Sequence, residues 1–393
     1  MTIRTYEFVD CLSLCRTVDR PSSLSQDKAV YVARPGFTES VDLPDFPAAP
    51  ADTAGIGDGR DLGYQLQGGQ LSIGDAFLAR FDNVLIDRYS ETPYPTNTFN
   101  VFVAPGLALG DGYSCRYSTD MIVKILGEEV TFRHGGSEIA AKIYDDGRID
   151  QTVEGAALML ACRFSIGNYF HWMVDVLPRL WALDLFDQPD SVPLILPANK
   201  LARYAEETLA ALRVRNPLIR LNCHMARIGT LYFPSYYSPG GYSREHVSRL
   251  SRRLRAAFGV EGRPAGRRLY ISRNDVVARR VVNEDAVLKR LQHYGFEAVT
   301  LSGLSVAEQA ELFAGAEIVV APHGAGNTNM LFAPPGAALI ETVPRSIPNM
   351  CYWMLVKQNG QRYGRMLSDE YDRQGLAFDI DKLIPMVEQA LSR

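Results

Sequence analysis

From Arg268 to Leu391 the chain alternates short apolar runs with segments of helical period, and no other feature restricts its fold as much. The runs are Arg268–Ser272, Phe296–Thr300, Glu317–Ala321, Ala338–Val343 and one near Arg362–Leu367. Glu317–Ala321 is apolar and β-branched without alternation, the pattern of a strand covered on both faces. Helices are expected between the runs. One spans Glu284–Tyr294, opened by Asn283 and closed by Gly295, and the next is capped by Ser305 with Glu308 completing a capping box. A short helix at Asn327–Phe332, one near Asn349–Gln358 and a last one at Asp381–Leu391 complete the series. Such alternation with short loops specifies an α/β fold with a doubly wound parallel sheet.

The first 165 residues follow another rule. Short β-type runs (Ala29–Ala33, Gln70–Ile73, Val84–Asp87, Asn100–Val103, Met121–Leu126, Ile139–Tyr144, Ala157–Cys162) are parted by turns such as Asp111-Gly112 and Asp146-Gly147. Residues 44–61, dense in Pro, Gly, Ala and Asp, read as an excursion over the surface. A helix over Tyr169–Phe186, a strand Val192–Leu196, a helix near 200–213 and a strand Ile228–Phe233 follow. The expected division is therefore an N-terminal domain over 1–238, β-rich to 165 and α/β over 166–238, then a connector and a C-terminal domain over 267–393. The connector, 239–266, carries a basic helix, Ser243–Phe258, read as a solvated face.

Composition narrows the function classes. Hydrophobic residues at 47% and charged residues at 22% fit a globular protein and exclude a disordered one. Lys+Arg 41 against Asp+Glu 45 leaves a net charge of -4, so bulk attraction to nucleic acid is not expected. No run approaches the roughly 18 apolar residues of a membrane span. The N-terminal segment lacks the apolar core of a signal peptide. A cytoplasmic location is expected, with peripheral association at the inner face of a membrane compatible with it. The six cysteines are scattered, and Cys11 with Cys15 makes a poor zinc site, so free thiols are expected.

In doubly wound sheets ligands bind beyond the carboxyl ends of the strands. There lie Ser272-Arg273-Asn274-Asp275, the loop His323-Gly324-Ala325-Gly326-Asn327-Thr328-Asn329, and Glu341. Two glycines before a helix permit a tight turn and close approach to a diphosphate, which Arg273 would neutralise. Glu341 would accept from ribose hydroxyls, or else pair with Arg279, Arg280 or Arg345. Without a ligand, the loop is simply a tight strand-to-helix turn. A second cluster lies on the helix, where His171, Asp175 and Arg179 fall within roughly 80° of one another at α-helical spacing. A buried trio of this kind is either mutually paired or faces a cleft. Metal ligation by His171, Asp175 and His323 is an alternative reading, and a serine hydrolase is disfavoured because no G-x-S-x-G is present.

The blocks NYFHWMVDVLPRL (168–180), YISR (270–273), RRVVNE (279–284), FEAVTLSGLSVAEQAELFAGAEIVVAPHGAGNTNMLF (296–332) and ALIETV (338–343) resemble, in order, the signatures of glycosyltransferase family 61. The resemblance covers roughly residues 160–345. It implies an inverting, metal-independent transferase of GT-B architecture, two Rossmann-like domains facing across a cleft, with the nucleotide-sugar mainly on the C-terminal domain and the acceptor mainly on the N-terminal one, without cofactor. The partners implied are a nucleotide-sugar donor, typically UDP-linked, and a glycan or lipid-linked glycan acceptor of bacterial capsule, exopolysaccharide or lipopolysaccharide synthesis. Carried onto this chain, Asp175 or His171 is the base, Arg273 and residues 323–329 hold the diphosphate, and Glu341 faces the ribose. Asn168, Arg179, Arg280, Asn283 and Glu284 lie in the resembling blocks and are read as supporting residues. The family loop commonly has an apolar residue where this chain has Asn327, whose amide is expected to cap the helix. The final helix is expected to return to the N-terminal domain. A sugar-nucleotide epimerase and a non-catalytic sugar-binding subunit of an assembly complex are the competing readings.

Overall fold

The computed structural model describes residues 6–41, 45–47, 66–67, 70–89, 98–104, 107–110, 131–134, 137–140, 149–161, 167–196, 201–221, 223, 225–236, 241–275, 280–345, 349–368 and 375–392. The expected strand Met121–Leu126, the turns at 111–112 and 146–147, most of 44–61, and Cys115, Cys162 and Arg279 lie outside them. Two compact units are formed, one of residues 1–37, 72–206 and 213–240, the other of 38–71, 207–212 and 241–393.

The first unit is built on a mixed sheet. Its long strand Ala76–Tyr89 pairs antiparallel with Met225–Pro234, which pairs parallel with Gln151–Met159. Leu194–Leu196 and then Leu218–Arg220 extend that edge in parallel. The segment 169–185 crosses between Gln151–Met159 and Leu194–Leu196, and the helix Arg203–Ala211 between Leu194–Leu196 and Leu218–Arg220. The strands at this edge read as continuous apolar runs because both faces are covered: Ala157–Ala161 and Leu194–Leu196 are all but inaccessible.

The second unit follows the alternation in the sequence. Its elements are α1 (Arg244–Ala257), β1 (Arg267–Ser272), α2 (Glu284–Leu291), β2 (Phe296–Thr300), α3 (Val306–Ala314), β3 (Ala316–Pro322), β4 (Ala338–Pro344), α4 (Cys351–Gln358), β5 (Arg362–Ser368) and α5 (Ile380–Leu391). The strands are parallel in the order β2-β1-β3-β4-β5, a doubly wound order that reverses direction between β1 and β3. Phe46–Pro47 adds a short sixth strand beside β5. Ser305 and Glu308 make the reciprocal capping box at α3, and Gly295 takes the left-handed conformation (φ 74°) that ends the α2 segment.

Two expectations are corrected here. The helix α1 does not lie in a free connector, because Val247, Leu250 and Leu254 are buried in the second unit and Ser251 donates to the Leu331 carbonyl at 2.6 Å. Its charge is solvated on one face, as expected, but the other face is core. The final helix packs on the second unit's own sheet. Leu383, Ile384, Met386, Val387 and Ala390 share a core with Tyr270, Ile318, Val320 and Ile340, and burying each large apolar side chain contributes about 1.5–3 kcal/mol.

Candidate functional site

At the carboxyl ends of β1 and β3, where the strand order reverses, a cavity opens between Ile271, Ser272, Arg273, Leu301, Pro322 and Gly326. Asp275, Ser302, Gly324 and Asn327 also line it. Arg273 lies directly over Gly324: a Cβ on Gly324 would collide with the guanidinium. Gly324 is not needed for its dihedrals, since φ is 178°, ordinary extended backbone. A side chain there would instead have to displace the Arg273 guanidinium. Gly326 is similar, since a Cβ there would sit 2.6 Å from Leu301.

The helix after this loop is a seven-residue 3-10 turn, Ala325–Leu331. Positive charge at the cavity therefore comes chiefly from Arg273. The side chains of Asn327, Thr328 and Asn329 are buried. Asn329 donates to Gln309 at 2.7 Å, and Asn327 to the Pro322 carbonyl at 3.3 Å and to Glu341 at 3.1 Å. Asn327 thus does not cap the helix, whose N-cap is Gly324. Of the expected diphosphate loop, Gly324, Gly326 and Asn327 line the cavity.

Glu341 is completely buried. Its Oε1 lies 2.7 Å from His323 Nδ1, and its Oε2 accepts from the Tyr363 hydroxyl at 2.6 Å. The salt bridge to Arg280 or Arg345 considered from the sequence is replaced by this set, and both oxygens that a ribose would need are engaged. Burial and the neighbouring Glu341 push the Tyr363 phenol well above its ordinary value, so Tyr363 stays a neutral donor. Tyr363 and the Tyr352 ring, 5.1 Å from the His323 ring, carried no local sequence signal.

Glu284 is also buried, and its Oε2 accepts from Asn274. Burial and this carboxylate raise the phenol of Tyr270. Asn283 holds Phe378 by two bonds, donating to its carbonyl at 2.8 Å and accepting from its amide at 3.1 Å. Its side chain is thus a tie to the strand-to-α5 segment rather than a cap. Arg280 accepts through its carbonyl from Leu376 at 2.7 Å. These three support the second unit's frame.

In the first unit, Asn168 caps the segment that carries His171, accepting from Phe170 at 3.0 Å and His171 at 3.4 Å. His171 Nδ1 is 2.6 Å from Asp175 Oδ2, and the side chains are 21% and 5% exposed. The expected continuous helix is broken into three geometries. Tyr169–His171 is α, Trp172–Val176 is a π turn closed by the Leu177 amide on the Trp172 carbonyl, and Leu177–Leu185 is 3-10. Pro178 gives the reason: it has no N–H for the Val174 carbonyl, so regular α bonding cannot run through. Arg179 is turned to the Ala161 carbonyl at 3.0 Å and to the rings of Tyr236 and Phe233, 4.7 and 5.5 Å away.

Among the described residues no group of three or more His, Cys, Asp or Glu is placed to hold a metal ion, and no helix is long and apolar enough to cross a membrane. Among the described residues Cys15 and Cys223 are partly exposed and Cys351 is buried.

Part of this geometry lies inside a segment that matches a known family. Residues 169–340 match the sequence model of the family described as Glycosyltransferase 61, less than half of the chain. A stretch of 97 residues, 24% of this chain, is 34% identical to an EGF domain-specific O-linked N-acetylglucosamine transferase of Drosophila melanogaster, of which it covers 18%. A longer stretch of 211 residues, 51% of this chain, is 24% identical to the xylan glycosyltransferase MUCI21 of Arabidopsis thaliana, of which it covers 41%. The chain thus spans well under half the length of either relative. The likeness is to glycosyltransferases, and it includes His171, Asp175, Arg273 and the 323–329 loop.

Proposed function

We propose that this protein is an inverting glycosyltransferase that moves a sugar from a nucleoside-diphosphate sugar, UDP-linked, to a hydroxyl of a glycan or lipid-linked glycan. The observation that carries the reading is Arg273 lying over Gly324 at the strand-order reversal. A guanidinium beside a glycine, lining a cavity at the end of a parallel sheet, is suited to a diphosphate. The family match and both relatives support the transferase class. The GT-B arrangement, independence of metal, a cytoplasmic site of action and a role in bacterial surface polysaccharide synthesis follow from the resemblance alone and are part of the same proposal.

In this reading His171 is the base and Asp175 orients it. Asp175 is too buried to meet an acceptor directly, while its carboxylate fixes Nδ1 and leaves Nε2 to take the hydroxyl proton. As that proton moves to Nε2, the acceptor oxygen bonds the anomeric carbon from the face opposite the diphosphate. The bond from that carbon to the phosphate oxygen breaks, and the electron pair leaves with the diphosphate. Arg273 and His323 offset its charge.

The test is titration calorimetry with UDP. The wild type should bind, and Arg273→Ala should weaken the affinity by at least about tenfold, the loss expected for a charge-assisted bond. Equal affinity in the two proteins would overturn the donor site. A panel of UDP-sugars tested for slow hydrolysis would then identify the sugar.

A further inference from the structure

We infer that Glu341 is a positioning residue that acts through His323, and not a ribose ligand. The inference takes its catalytic meaning from the donor site proposed above, but its geometry stands apart from it. Glu341 is inaccessible and accepts from the Tyr363 hydroxyl, from the Asn327 amide and from His323 Nδ1. A carboxylate accepts only, so three donors converge on it and Nδ1 of His323 carries a proton. Whatever His323 does for a ligand therefore runs through Nε2.

The register explains why these groups meet. Glu341 pairs in the sheet with Arg365 on β5 and Ala321 on β3. Leu339 pairs with Tyr363, so Tyr363 and Arg365 lie on the same face of the sheet as Glu341. His323, one residue past β3, is hydrogen-bonded through its backbone amide to the Thr342 carbonyl at 2.9 Å. The main chain thus holds the imidazole beside the carboxylate, and the Tyr352 ring packs on it. The loop that begins at His323 carries Gly324 with Arg273 on top. The buried set fixes the start of that loop, and with it the cation. Asn327, the polar departure from the family's loop, belongs to the same set: its amide closes the third side of the carboxylate.

The experiment is nitrogen-15 NMR on histidine-labelled protein, with the His323 signals assigned by a His323→Asn variant. The wild type should show a downfield proton on His323 Nδ1. Glu341→Met, similar in volume but without an acceptor, should lose that proton signal. Glu341→Gln should keep it, because the amide oxygen still accepts. Tyr363→Phe lowers stability by removing a different bond of the cluster and should also keep it, which separates a positioning role from loss of packing. In calorimetry, Glu341→Met should weaken UDP and inorganic pyrophosphate by about tenfold, with Glu341→Gln closer to the wild type.

A bare Nδ1 in wild-type His323, or an Nδ1 proton that survives in Glu341→Met, would overturn the inference. So would unchanged pyrophosphate and UDP affinity in Glu341→Met, given a wild type that binds them. If the wild type binds neither, the donor reading falls, while the Nδ1 result still decides the positioning role because it needs no ligand.

Discussion

A Cβ on Gly324 would fall in the space that the Arg273 guanidinium occupies. Gly324→Ala should therefore reproduce much of the effect of removing Arg273. The alanine displaces Arg273, UDP affinity falls by about tenfold or more, and the melting temperature changes little, since φ is extended and any residue can adopt it. Unchanged calorimetric affinity would mean that Arg273 reaches the ligand from elsewhere. At His171 the expectation is of the opposite kind. Asp175→Asn should leave UDP binding as it is and lower kcat by about a hundredfold or more, because the amide orients the imidazole wrongly. Turnover at the wild-type rate would remove the pair from the mechanism. Both residue pairs could be nominated from sequence, since each chemistry needs those residue types. What sequence could not give was the partner of each side chain: Tyr363 enters the Glu341 set from 22 residues away and by no local pattern.

At the scale of elements, the parallel sheet was legible because period and caps are local. The boundaries of α3, the capping box at Ser305 and the left-handed Gly295 all follow from a few neighbouring residues. The 169–185 segment was read as one helix, and the reason it is not was in the sequence: Pro178 interrupts the bonding of the turn before it. That interruption sits at the His171–Asp175 pair. Its N-terminal anchor is Asn168, and Asn168→Ala should cost about 1 kcal/mol of stability. The variant should also lower kcat, because the capped turn carries His171. A stability loss with unchanged kcat would show that the cap serves the fold alone. Less legible were ties between remote segments. Lys357 pairs with Asp45 at 2.7 Å, and Phe46–Pro47 extends the C-terminal sheet, both across some three hundred residues of chain. No pattern of spacing encodes such a return, because loop closure leaves no periodicity behind.

At the scale of the molecule, the chain divides into two units that carry different parts of the proposed chemistry, the His171–Asp175 pair on the first and the Arg273 cavity on the second. That division makes a prediction that needs no knowledge of the acceptor. A ligand bound only by the native second unit stabilises it by mass action, by about 2.7 kcal/mol at a concentration one hundred times its Kd. Local openings of that unit become rarer by the same factor, and amide exchange slows where they occur. Saturating UDP should therefore slow exchange most at 271–275, 301–302 and 322–327, the lining of the cavity. It should extend more weakly into β1, β3 and β4, which carry that lining. The strands Ala76–Tyr89 and Met225–Pro234 belong to the first unit and should exchange at unchanged rates. Hydrogen exchange followed by mass spectrometry reads all of these peptides in one experiment. Protection centred on 168–180 instead would place the nucleotide beside His171 and reverse the assignment of donor and acceptor to the two units.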